Sequence, residues 1–142
     1  MKKLIPVLFV LGIFATACKK SKDAPPPPPP PLTKENVAGA YKITGDVSTS
    51  PDGTSTTDNY ANYQPCAKDD IWNFNADNSL AVTDEGVVCD PSGSWTSSWS
   101  LNGDAISVAG MNGSVTKWTG SIMEVTLLFD DGTKDKISFK KQ

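Results

Sequence analysis

The chain has 142 residues, and its 16 carboxylates outnumber 13 lysines for a net charge of −3, with no arginine and no histidine. An acidic chain without arginine is poorly equipped to grip nucleic-acid phosphates, and the lack of histidine removes the commonest general base and metal ligand. No nucleophile elbow, phosphate-binding loop or Cys/His pair is found either, so no nucleic-acid partner, enzyme activity, cofactor or metal is expected.

The first segment reads as a targeting signal. Met1-Lys2-Lys3 is a short basic start, and Leu4 to Ala17 is an apolar run of 14 residues. A helix crossing a bilayer needs about 20 apolar residues, whereas a secretory hydrophobic region has this length and these flanks. The run closes on Ala15-Thr16-Ala17-Cys18, which resembles the lipobox of bacterial lipoproteins, with Ala15 where Leu is usual. That resemblance implies that residues 1–17 are removed as a signal peptide and that Cys18 carries diacylglycerol. The plainer alternative is secretion with cleavage after Ala17 and a free thiol. Lipidation implies a chain anchored to a membrane, not spanning it, since each buried CH₂ contributes about 0.8 kcal/mol. Lys19 after the cysteine, by resemblance to sorting rules, implies the outer membrane. The basic Lys19-Lys20-Ser21-Lys22 favours its periplasmic side over the cell surface.

Residues 18–31 form the next unit, a lipid-bearing cysteine followed by seven consecutive prolines, Pro25 to Pro31. Such a run adopts polyproline II, rising about 3.1 Å per residue, so it spans roughly 20 Å as a semi-rigid tether. One domain then occupies residues 32–142. Thr33 to Ala38 is expected to form a single helical turn with Thr33 as its N-cap. Strands are expected at Gly39–Val47, Asp69–Asn75, Ser79–Thr83, Ser94–Leu101, Asp104–Ala109, Ser114–Thr119, Ser121–Phe129 and Lys134–Lys140. Each alternates apolar with polar residues, the pattern of a sheet with one buried face. Asn102-Gly103, Asn112-Gly113 and Asp131-Gly132 read as tight hairpin turns, and Ala76-Asp77-Asn78 as a three-residue turn. Ser48 to Asn62, rich in Ser, Thr, Asp, Gly and Asn, reads as a long loop with little to bury.

Eight short antiparallel strands in a meander predict an all-β fold, closed into an up-and-down barrel that removes its open edges. A β-sandwich of the same strands is the alternative. With Cys18 assigned to lipid, Cys66 and Cys89 are the pair left to form a disulfide in an exported domain. A zinc site is the rival reading, but two cysteines without histidine fall short of four ligands.

Several of these residues together carry a family likeness. Gly39-Ala40-Tyr41 opens the first strand, followed by Cys66-Ala67-Lys68-Asp69-Asp70-Ile71-Trp72-Asn73-Phe74-Asn75-Ala76-Asp77, then Cys89, Gly93-Ser94-Trp95 and Ile137-Ser138-Phe139-Lys140. This pattern resembles the lipocalin-like domain of small lipoproteins in Gram-negative envelopes. The resemblance covers about Val37 to Lys140 and implies an eight-stranded barrel with a cavity for a small hydrophobic molecule. Tyr41 stands where lipocalins carry Trp, and no Arg is present to stack on it. The aromatic residues are expected to fill the barrel in preference to lining a cavity; a cavity, where one exists, is expected to be lined by Tyr41, Trp72, Phe74, Trp99, Leu127 and Phe139.

Asp69 and Asp70 are not expected to act as a catalytic pair, because neighbours in a strand face opposite sides. Asp130-Asp131-Gly132-Thr133-Lys134-Asp135 lacks calcium-loop spacing and reads as a hairpin. Two functions remain: a lipid-anchored barrel binding a small hydrophobic molecule, or a non-catalytic module contacting an envelope protein partner. The latter covers an accessory subunit or an inhibitor of a hydrolase such as lysozyme.

Overall fold

The computed structural model describes residues 27–142. The expected signal segment, Cys18 and the first two prolines of the tether lie outside the described residues.

Nine strands form one sheet: β1 (Gly39–Thr49), β2 (Thr56–Asp58), β3 (Ile71–Phe74), β4 (Ser79–Thr83), β5 (Trp95–Asn102), β6 (Ala105–Val108), β7 (Met111–Trp118), β8 (Ile122–Leu128) and β9 (Lys134–Lys141). From β3 to β9 each strand pairs antiparallel with the next. β1 then pairs with β3 through Gly39–Tyr41 and with β9 from Tyr41 to Thr49, which closes the cylinder. β2 is a short addition on the upper part of β1, so the barrel proper has eight strands in up-and-down order. A sandwich would leave β1 and β9 apart; their pairing removes the two edges a flat meander exposes.

The alternation read from sequence sets which face is buried. Tyr41, Ile43, Phe74, Leu80, Val82, Trp99, Ile106, Val108, Val115, Met123, Val125, Leu127 and Phe139 all point inward and are buried. A short helix, α1 (Lys34–Val37), closes one end. Thr33 caps it as expected, its Oγ1 accepting the Asn36 N–H at 3.3 Å. Val37 is fully buried, and its carbonyl accepts the Tyr41 hydroxyl at 2.6 Å, joining the end-plug to the wall. Burial pushes the Tyr41 phenol up to about 12.

Up-and-down order sorts the connections between two ends. The α1 end carries the turns at 75–78, 103–104 and 119–121; the opposite end, called the loop end here, carries 50–55, 59–70, 84–94, 109–110 and 129–133. The proline segment meets the barrel at the α1 end, where Trp118 Nε1–H donates to the Pro30 carbonyl at 2.9 Å.

Three expectations are corrected. Asn112-Gly113 is not a turn but lies inside β7; the reversal comes earlier, at Ala109-Gly110, both with positive φ (52° and 82°) and bracketed by the Val108–Met111 pair. The Asp131-Gly132 turn has three residues, Asp130 to Gly132, closed by Phe129 and Thr133, with Gly132 at φ 86°. Asp69 and Asp70 precede the strand, which starts at Ile71.

The Ser48–Asn62 segment is also more ordered than its composition suggests. Asp52 accepts hydrogen bonds from Ser50 and Thr54 and so makes a compact turn between β1 and β2. A 3₁₀ turn follows at Tyr60–Asn62. Asp46, buried in β1, accepts the Tyr63 hydroxyl at 2.7 Å and ties this stretch to the wall. Burial and the Asp46 carboxylate both raise the Tyr63 phenol far above its ordinary range.

Candidate functional site

Of the six residues expected to line a cavity, Tyr41, Phe74, Trp99, Leu127 and Phe139 belong to one buried cluster. Phe74 lies edge-on to Tyr41 at 5.4 Å, to Trp99 at 5.3 Å and to Phe139 at 5.5 Å between ring centres. Tyr41, Phe74, Trp99, Leu127 and Phe139 are each at most 2 % exposed. Edge-to-face packing sets the positive ring edge against the negative face of its neighbour, and adds about 0.5–1.5 kcal/mol per pair beyond area burial. The indole N–H of Trp99 is satisfied by the Asn75 carbonyl at 2.9 Å, so this polar handle needs no ligand. Trp72 stands apart. It touches Phe139 at 5.7 Å on one side and Trp95 at 5.3 Å on the other, near the loop end. Trp95 shares the inward face, yet it is 39 % exposed because the β6–β7 hairpin reverses at Ala109-Gly110 and leaves that side of the mouth low.

A hollow of about 490 Å³ on the outer wall runs over β7 and β8, lined by Ser114, Thr116, Thr126, Leu128 and Lys134 among others. These residues alternate with inward-facing Val115, Val125 and Leu127, so the hollow lies outside the barrel.

The loop end is built around the disulfide. A short helix, α2 (Pro65–Lys68), starts with proline, whose missing N–H costs nothing in a first turn. It places Cys66 5.3 Å, Cα to Cα, from Cys89 in the 84–94 connection, and the two are bonded as expected. Two carboxylates hold the same connection: Asp69 accepts the Val87 N–H at 2.9 Å, and Asp84 accepts the N–H groups of Cys89 and Gly93. Between these fixings the chain turns outward at Val87 and Val88, which are 62 % and 63 % exposed. Sequence reading missed this tip, because two valines beside a cysteine look like strand or core. The signal available was their bracketing by Asp84-Glu85-Gly86 and Asp90-Pro91.

Asp70 gains no hydrogen-bond partner among the described residues, and its Oδ1 and that of Asp69 are buried without one. A side chain added at Gly93 would meet Asp70 and Asp84 together, at 3.7 and 3.8 Å, so these carboxylates face a shared point. Loss of water, then the charges of Asp84 and Asp69, hold the Asp70 carboxyl above its ordinary range. No group of three possible ligands with metal-holding geometry occurs among the described residues.

Because folding favours protonated Asp70, its contribution to stability is greatest at low pH and is lost as pH rises through the raised folded pKa. Asp70→Asn is therefore expected to raise the Tm by roughly 2 °C at pH 7, and to leave it unchanged near pH 3. Thermal unfolding at the two pH values checks this; a lower Tm at pH 7 means that the carboxylate is being used.

Comparison of the chain with protein-family models, with curated proteins and with solved structures finds no match in any of the three.

Proposed function

We propose that this chain is a lipid-anchored envelope protein, held at Cys18, whose lipocalin-like barrel is a rigid, non-catalytic support for protein recognition at its loop end. The observation that carries the reading is the contrast between interior and tip. Inside the barrel the aromatic rings pack edge to face on one another, while Val87 and Val88 stand exposed on a connection fixed by a disulfide and two carboxylates. Ordered apolar residues left in water on a braced loop suit a partner that buries them. The basic residues and prolines after Cys18 suit a spacer, and Trp118 receives that spacer at the end opposite the tip.

The Trp72–Trp95 pair favours a second reading. An inward-facing, partly exposed tryptophan at the low side of the mouth makes a shallow apolar cup suited to a small hydrophobic molecule.

Native mass spectrometry of the mature chain, recovered from the envelope in mild detergent, separates the readings. The expected mass is that of a chain beginning at Cys18, carrying the anchor's acyl groups and two hydrogens light from the disulfide, with no further adduct. A reproducible excess of a few hundred daltons, lost on denaturation, favours the cup. A mass without acyl groups overturns the anchor.

A further inference from the structure

The charge of the folded domain is gathered at one end. Residues 32–142 contain 15 carboxylates and eight lysines. The strands, α1 and the turns of the α1 end hold seven of each and are neutral in sum. The entire excess, seven negative charges, falls in the connections of the loop end, where eight carboxylates face Lys68 alone. Even that lysine is engaged, its ammonium standing 5.0 Å from the centre of the Tyr60 ring.

The acidic residues come from four separate connections. Asp52 lies in the β1–β2 turn, Asp69 and Asp70 before β3, and Asp130 and Asp131 in the β8–β9 turn. Asp84, Glu85 and Asp90 flank the valine tip itself, and Glu85 and Asp90 make no hydrogen bond among the described residues. Like charges brought within a Debye length, about 8 Å at physiological salt, repel one another and oppose compaction. At Asp70, burial first and then the charges of Asp84 and Asp69 hold the carboxyl above its ordinary range.

An apolar tip within an acidic field restricts what can dock. Phosphates and anionic lipid headgroups are repelled. A neutral apolar surface could cover the valines but leaves the carboxylates unpaired at its rim, where desolvating them is unfavourable. A surface offering an apolar pocket ringed by lysine and arginine satisfies both parts. The tether adds direction, since Pro30 is held by Trp118 at the far end, so the acidic end is the one presented outward.

We infer that the partner is a basic protein, with Val87 and Val88 entering an apolar pocket while Glu85 and Asp90 pair with the cationic groups around it. This rests on the protein-recognition reading above.

Mature, immobilised chain can be tested by biolayer interferometry against hen lysozyme and cytochrome c as basic probes, ovalbumin as an acidic one, and phosphatidylglycerol vesicles. The basic proteins are expected to bind, and at least tenfold more weakly when salt is raised from 50 to 300 mM, whereas ovalbumin and the vesicles do not bind. Glu85→Lys with Asp90→Lys should weaken binding by roughly tenfold or more at low salt. Val87→Ser with Val88→Ser should weaken it about tenfold at both salt concentrations, because it removes apolar burial and not charge. Both double variants alter exposed groups, and circular dichroism confirms that they fold.

Binding to ovalbumin as strong as to the basic proteins, or binding indifferent to salt yet lost with the valines, overturns the basic partner while leaving protein recognition standing. Vesicle binding overturns both in favour of a membrane surface. Absence of protein binding together with a small-molecule adduct in the native mass overturns both in favour of the cup.

Discussion

Phe74→Ala should destabilise the fold by about 4 kcal/mol, the middle of the range for truncating a buried phenylalanine. Phe74 is 1 % exposed and makes three edge-to-face contacts, with Tyr41, Trp99 and Phe139, so its removal opens a cavity that no single neighbour can refill. A loss of that size is a large part of the 5–15 kcal/mol that keeps a small domain folded. Urea denaturation, wild type against variant, reads it directly as a lower midpoint with little change in slope. A loss below about 1.5 kcal/mol would show slack around the ring, room in which a small hydrophobic molecule could sit.

Removing the disulfide as Cys66→Ser with Cys89→Ser is the second large effect, expected at about 3.5 kcal/mol. Cys66 and Cys89 are 23 positions apart, and closing a loop of that length removes chain entropy from the unfolded state by roughly this amount. The consequence is local as well as global. In the double variant, Val87 and Val88 remain held by Asp69 and Asp84 alone. Amide hydrogen exchange across residues 84–94 should therefore speed up at denaturant concentrations where β7 to β9 stay protected. A stability loss under about 1 kcal/mol would mean that the carboxylate bonds already fix the connection and that the disulfide adds little.

The strands were the legible part of the fold. Period-2 runs such as Val125, Leu127 and then Ile137, Phe139 can satisfy only a sheet with one dry face, and all eight expected strands are present, shifted by up to three residues at their ends. The Cys66–Cys89 bond was legible too, because the expectation that Cys18 carries lipid left those two cysteines to pair. The turns were less so. Asn112-Gly113 carries the strongest local turn chemistry in its stretch, yet it sits within β7, where a Cβ at Gly113 would run into the carbonyl of Thr126 on β8. Close strand approach used that glycine, and the reversal fell to Ala109-Gly110 instead.

By itself the sequence determined the class and periodicity: one all-β domain, inward-facing apolar positions, and a polyproline run after Cys18. These depend on local spacing and residue chemistry, which a linear reading preserves. Tertiary structure alone decided that the rings of Tyr41, Phe74, Trp99 and Phe139 pack edge to face on one another, because they come from strands far apart in the chain that the closed barrel brings together. It alone gave order to Ser48–Asn62, through the buried Asp46 and a tyrosine 17 residues away. It also gathered the acids at positions 52, 69–70, 84–90 and 130–131 at one end, since an up-and-down barrel sends alternate connections to the same rim however distant they are in sequence.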